Sequence, residues 1–264
     1  MEAQLTTAVR SDTELAHWLA AGKLRGTESL ICWDGGLTDV GATALAASAD
    51  ADRLMSLDLS WNHVGPSGAG ALIESPHLQG MTRLRLYHND LGVAGATRLA
   101  AAGARLAMLN LCGNALGDRG LHALAAGELH ALRELALGWN DLGSVAALIA
   151  GPWRALVKLN VRANRLGPAD AAHLLSGALP ELRWLGIDEN PLGDAGLAAM
   201  LAAPGFRQLE WLNLGGTELD DRAVARFAAL APCALRELRL HDNELSPPAL
   251  AAIRDALPDC EVVS

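Results

Sequence analysis

The residues in this chain that could do chemistry are few and far apart. His63 and His88 stand in neighbouring stretches and Cys112 in the next. Imidazoles and a thiolate can hold a transition metal, but these three come from different columns of the pattern described below, so no metal site is expected. His88 with Asp90 reads as a surface pair. Gly35-Gly36 and Gly215-Gly216 are not followed by lysine, so neither forms a phosphate loop, and no Walker loop, His-Glu-X-X-His or Cys-X-X-Cys run is present. The expectation is no catalytic residue, no metal and no cofactor. What the chain does offer is recognition chemistry: Trp33, Trp61, Trp139, Trp184, Trp211 and Tyr87, with Arg83, Arg85, His88 and Arg162. Trp, Tyr and Arg are the side chains most enriched where protein surfaces bind tightly.

Their placement follows from a repeated frame. Leu54-Met-Ser-Leu57-Asp-Leu59-Ser-Trp-Asn62-His-Val64 sets apolar residues at positions one, four, six and eleven, with Asn at nine. The same arrangement ends at Asn89-Asp-Leu91, Asn114-Ala-Leu116, Asn140-Asp-Leu142 and Asn164-Arg-Leu166. Nine frames open at Thr27, Leu54, Met81, Leu106, Leu132, Leu156, Leu182, Leu209 and Leu235, spaced 27, 27, 25, 26, 24, 26, 27 and 26 residues apart. The back half of each frame is helical in pattern, as in Gly41-Ala-Thr-Ala-Leu45-Ala and Gly68-Ala-Gly-Ala-Leu72-Ile. Pro66, Pro168 and Pro247 stand where a first helical turn begins, a place that has no use for the missing N–H. Each unit therefore reads as a short strand plus a helix.

These frames fit the leucine-rich repeat template. Joined to the Leu-Gly-Asp-X-Gly runs at Leu116–Gly120 and Leu192–Gly196, they resemble the ribonuclease-inhibitor class of that family. The Gly-Ala-X-X-Leu-Ala helices also resemble GALA-type bacterial repeats. The resemblance spans about Thr27 to Val263. It implies an α/β right-handed solenoid, a horseshoe with its parallel sheet concave and its helices convex, in families that mostly bind other proteins. GALA effectors carry an F-box ahead of their repeats; none is legible here, which argues against a ubiquitin-ligase adaptor. Ran GTPase activators share the repeat class, and a GTPase-activating or effector-type regulator is the alternative reading, though their functional positions do not align here.

Residues 1–26 read as an N-terminal helical cap, 27–257 as the nine repeats and 258–264 as a closing strand. In the cap, Ser11-Asp-Thr-Glu14 has the form of a capping box, opening a helix to about Ala21. A solenoid needs such ends because each repeat buries its apolar edge only against a neighbour. Two frames depart from the template: Gly35 and Thr217 stand where Asn is expected, and Cys32 replaces a leucine. A Thr hydroxyl satisfies fewer backbone groups than an amide, so Thr217 marks an expected weak point.

Side chains alternate along a strand. Positions four and six therefore point into the core, while three, five and seven point out of the concave face with eight at its rim. Five of the seven tryptophans and the only tyrosine fall on those outward positions. Trp184 and Trp211 share a column on neighbouring strands and are expected to stack. Asp58 beside Arg85, and Glu134 beside Lys158, read as intramolecular neighbours. Cys112, Gly113, Ala136 and Gly138 would form a shallow floor.

A net charge of −9 and a pI near 5.3 lack the basic footprint of a nucleic-acid binder. Four unpaired cysteines, no signal segment and no membrane-length apolar run point to the cytoplasm, with a secreted effector as the alternative. The expected partner is another protein, bound by a monomer.

Overall fold

The computed structural model describes residues 4–6, 9–102, 105–229 and 233–264. Residues 1–3, 7 and 8 of the expected cap lie outside the described residues. The chain divides into two compact units, residues 1–136 and 137–264.

In the first unit, β1 (Gln4–Thr6) precedes α1 (Asp12–Ala20), and four strand–helix pairs follow: β2 (Ser29–Ile31) and α2 (Asp39–Ala47), β3 (Ser56–Asp58) and α3 (Pro66–Glu74), β4 (Arg83–Arg85) and α4 (Gly92–Ala100), β5 (Met108–Asn110) and α5 (Gly117–Ala125). β6 (Glu134–Ala136) closes it. The strands pair in chain order and in parallel, with Ser29, Ser56, Arg83, Met108 and Glu134 in one column. That register matches the column read from the frames. β1, too short at three residues to show alternation in the sequence, pairs with β2.

Each strand is only three residues long, so the turns carry much of the order. The leucines at positions four and six, such as Leu57, Leu59, Leu84 and Leu86, are buried. Asn62 explains the recurring spacing of the frame in physical terms. Its Oδ1 accepts the N–H groups of Gly35 and Leu37 at 3.0 and 2.8 Å, and its amide donates to the carbonyls of Cys32, Leu59 and Ser60. One buried side chain thus satisfies five backbone groups in two successive turns. Gly35, the missing Asn of the first frame, lies against the Val9 carbonyl, where any side chain would collide.

A second ladder runs along the helix starts. The Asp12 carboxylate accepts the N–H groups of Thr38 and Gly41, both at 2.9 Å, and Asp39 does the same for Gly65 and Gly68 at 2.7 and 2.8 Å. A carboxylate there meets unpaired N–H groups and the positive end of the neighbouring helix. Glycine at 41 lets it approach, since a Cβ would strike Asp12. At α1, Ser11 accepts the Glu14 N–H, while the Glu14 carboxylate accepts from Arg10 rather than from Ser11.

The second unit contains α6 (Ala146–Ala150), then β7 (Lys158–Asn160) and α7 (Pro168–Leu174), β8 (Trp184–Gly186) and α8 (Gly193–Ala202), β9 (Trp211–Asn213) and α9 (Ala223–Ala228), β10 (Glu237–Arg239) and α10 (Pro247–Ala256), ending in β11 (Glu261–Val263). Its strands are again parallel and in chain order. The shortest frame, of 24 residues, has the shortest helix, α6, and Trp153 fills the core beside it with 0% exposure.

Thr217 takes a definite form. Its hydroxyl donates to the Leu214 carbonyl of its own turn at 2.6 Å. The Leu192 N–H, which an Asn of the next frame takes elsewhere, turns back to Asn190 O at 2.8 Å. By contrast, Asn243 accepts from Thr217 and Leu219 and donates to Leu214 O. Among the described residues no helix is long and apolar enough to cross a membrane.

Candidate functional site

The eighth residue of every frame adopts the left-handed backbone conformation: Asp34, Trp61, His88, Gly113, Trp139, Ala163, Glu189, Gly216 and Asp242, with φ between 48° and 67°. The turn before the Asn demands it whatever the side chain. Gly, Asn and Asp adopt this region with least strain, and bulky residues there are rare. Trp61 and Trp139 therefore occupy slots that two other frames fill with glycine, Gly113 and Gly216, and each carries a local conformational penalty on the order of 1–2 kcal/mol.

In the first unit Trp61 stacks on His88, with ring centres 4.1 Å apart and planes at 21°, and meets Tyr87 edge-on at 5.4 Å. Tyr87 and His88 lie 4.7 Å apart. The His88 ring in turn covers Gly113, so that part of the expected floor is occupied. His88 does not pair with Asp90 as expected; His63 Nδ1 lies 3.1 Å from the Asp90 carboxylate instead. Asp34, Trp61, His63, His88, Asp90 and Ala115 line a groove of about 620 Å³ along this rim. Trp33 is 57% exposed and makes no ring contact among the described residues. Arg83 and Arg85 are half-buried on β4. Asp58 lies opposite Arg85 in register, yet its carboxylate accepts the Ser60 N–H at 3.0 Å and forms no ion pair with Arg85.

In the second unit Trp184 and Trp211 stack as their shared column requires, 4.0 Å apart and within 8° of parallel. The Arg239 guanidinium lies 5.1 Å from the Trp211 ring centre and donates to Glu237 at 2.7 Å. That bond, and then one from Trp211, hold the Glu237 carboxyl below the usual carboxylate range. The Arg162 guanidinium covers Trp139 at 4.1 Å, with Nε 3.3 Å from the Asp188 carboxylate and a further ion pair to Glu189. Burial pushes the Asp188 carboxyl above its usual range, against the opposing pull of Arg162. Arg162 is a candidate by its sequence position; Asp188 and Glu189 lie in the same outward columns, but nothing in their spacing marks them as its partners.

The Cys32 thiol is not poised for chemistry. Burial, with Asp58 adding to it, pushes the Cys32 thiol up to about 12, so it stays protonated and is a poor nucleophile or ligand. Among the described residues no group of three or more His, Cys, Asp or Glu is arranged to hold a metal ion.

A leucine-rich repeat family model matches residues 54–72. No curated protein matches the chain significantly. Solved structures do: an internalin C2 from Listeria monocytogenes is 22% identical, with a TM-score of 0.59 over 82% of each chain. A second internalin from that organism is 16% identical, with a TM-score of 0.51 over 96% of this chain and 82% of its own. The mouse RP105/MD-1 complex contributes a chain 21% identical, with a TM-score of 0.56 over 90% of this chain and 37% of that one. Together with the parallel strands, the Asn ladder and the strand–helix alternation, these likenesses identify the fold as that of a leucine-rich repeat solenoid.

Proposed function

We propose that this chain is a non-catalytic interaction module that binds another protein through the outward strand face of its repeats. The observation that carries the reading is the stacked pair Trp184 and Trp211, with Arg239 against it. The leucine column already fills the core, so large half-exposed rings on the opposite face have no packing duty there. Trp33, Trp61, Arg83, Arg85, Tyr87, His88, Trp139, Arg162, Trp184 and Trp211 are the proposed contact residues. Arg162 is held by three neighbours, and its role in this reading is to fix Trp139 in place. One of the structures that this chain resembles is a chain of the RP105/MD-1 complex; that supports a macromolecular partner as a class and no more.

In the same reading residues 1–26 cap the array, 27–257 form nine repeats of the ribonuclease-inhibitor class with GALA-like helices, and 258–264 seal the end. Repeat spacings of 24 to 27 residues and helices of up to ten residues support that class.

The test is affinity capture from lysate of the source cell, comparing the native chain with a Trp139→Ser, Trp184→Ser, Trp211→Ser variant after circular dichroism shows both folded. A protein retained by the first and lost by the second supports the reading. Identical recovery by both, or none, sets the strand face aside.

A further inference from the structure

The two tryptophans held in the left-handed rim position, Trp61 and Trp139, are served differently. At Trp139 the chain supplies its own cation: the Arg162 guanidinium lies over the ring at 4.1 Å and is anchored by Asp188 and Glu189. A guanidinium, an indole face and carboxylates make one unit, the geometry in which a cation–π contact and an ion pair reinforce each other.

At Trp61 the same ingredients are present except the cation. The rim row runs Asp34, Trp61, His88, Gly113, one residue per strand. The hydrogen bonds from Asp34 N to Ser60 O, Trp61 N to Tyr87 O and His88 N to Cys112 O hold it aligned. His88 stacks on one face of Trp61, and the neighbour on the other side of the row is Asp34. The Asp34 carboxylate has no hydrogen bond or ion pair among the described residues, and Asp90 pairs only with the imidazole of His63. No lysine or arginine lines the groove of about 620 Å³ that these residues share. Its volume lies within the range of ligand-sized clefts. Trp61 remains 42% exposed.

We propose that this groove receives a cationic side chain of a protein partner, an arginine whose guanidinium lies against Trp61 and is neutralised by Asp34 and Asp90. The partner thus completes at Trp61 what Arg162 completes internally at Trp139. This deepens the reading of the chain as an interaction module and rests on it. An acidic, aromatic groove attracts a guanidinium by charge and selects it over a neutral group of the same shape.

The probe is N-acetyl-arginine methylamide, titrated at millimolar concentrations into the full chain. Its uncharged isostere N-acetyl-citrulline methylamide is the control, and the indole N–H resonances are followed by NMR. The expected result is a saturable shift of the Trp61 indole signal with the arginine probe, at least tenfold weaker with citrulline. The Asp34→Asn, Asp90→Asn variant, folded by circular dichroism, should weaken the arginine response at least tenfold. No shift at Trp61, an equal response to citrulline, an unchanged response in the variant, or shifts confined to Trp184 and Trp211 would each overturn the proposal. Because the titration needs no natural partner and the capture experiment alters only residues of the second unit, either can fail without the other.

Discussion

The Arg162 guanidinium carbon lies 4.1 Å from the centre of the Trp139 ring, and the same side chain reaches Asp188 and Glu189. A planar guanidinium can stack on the indole and pair with carboxylates at once, which a lysine ammonium cannot reproduce. Arg162→Lys is therefore expected to lower stability by about 0.5–1 kcal/mol, the range for a partly exposed cation–π contact, and to shift Trp139 fluorescence. Urea denaturation of Arg162→Lys, Trp139→Leu and the double variant checks the coupling. Strict additivity would show that the stacking contributes nothing.

Thr217 leaves the asparagine ladder one rung short. Thr217→Asn lets a side-chain Oδ1 accept the Leu192 N–H, which now turns back to Asn190 O. One added hydrogen bond of this kind contributes on the order of 0.5–1.5 kcal/mol. The thermal midpoint of the variant is expected to rise; a fall would mean that the Thr217 pocket, fully buried, cannot admit the amide.

Trp153 fills the space beside the short α6, yet its buried Nε1 has no hydrogen-bond partner among the described residues. Trp153→Ala is expected to remove about 3–5 kcal/mol of stability by opening a cavity. Trp153→Phe, which keeps an aromatic ring and deletes the unpaired donor, should remain within about 1.5 kcal/mol of the parent. Chemical denaturation of the two variants distinguishes these outcomes, and equal losses would show that the indole nitrogen is satisfied in solution.

Burial raises the Asp188 carboxyl, so between its ordinary value and its raised native value the folded chain binds a proton that the unfolded chain does not. Stability therefore falls as pH rises through that window and is regained on acidification. Asp188→Asn should unfold at higher denaturant concentration than the parent at neutral pH, with the gap closing as pH is lowered. A variant less stable at neutral pH would show that the Arg162 ion pair outweighs the burial of the charge.

Of the candidate site, the columns were legible and the contacts within them were not. Trp184 and Trp211 could be matched across neighbouring strands because a parallel ladder fixes which residues lie side by side. The partners of His63, His88 and Asp58 could not be, because a side chain on a turn can choose among several neighbours of similar distance. His88 chose Trp61 over Asp90, Asp90 received His63, and Asp58 turned to the Ser60 N–H rather than to Arg85.

The repeat spacing, the strand–helix alternation, the buried leucine and asparagine positions and the set of side chains facing outward are all written in the order of the residues. A period in the sequence becomes a period in space when each repeat packs only on its neighbours. Which of those outward groups are already satisfied emerges only when the turns are stacked in three dimensions. Arg162 is committed to Trp139 while Trp61 shares its groove with Asp34, whose carboxylate has no ion pair among the described residues, a difference that depends on which side chains converge from adjacent turns rather than on the frame they share.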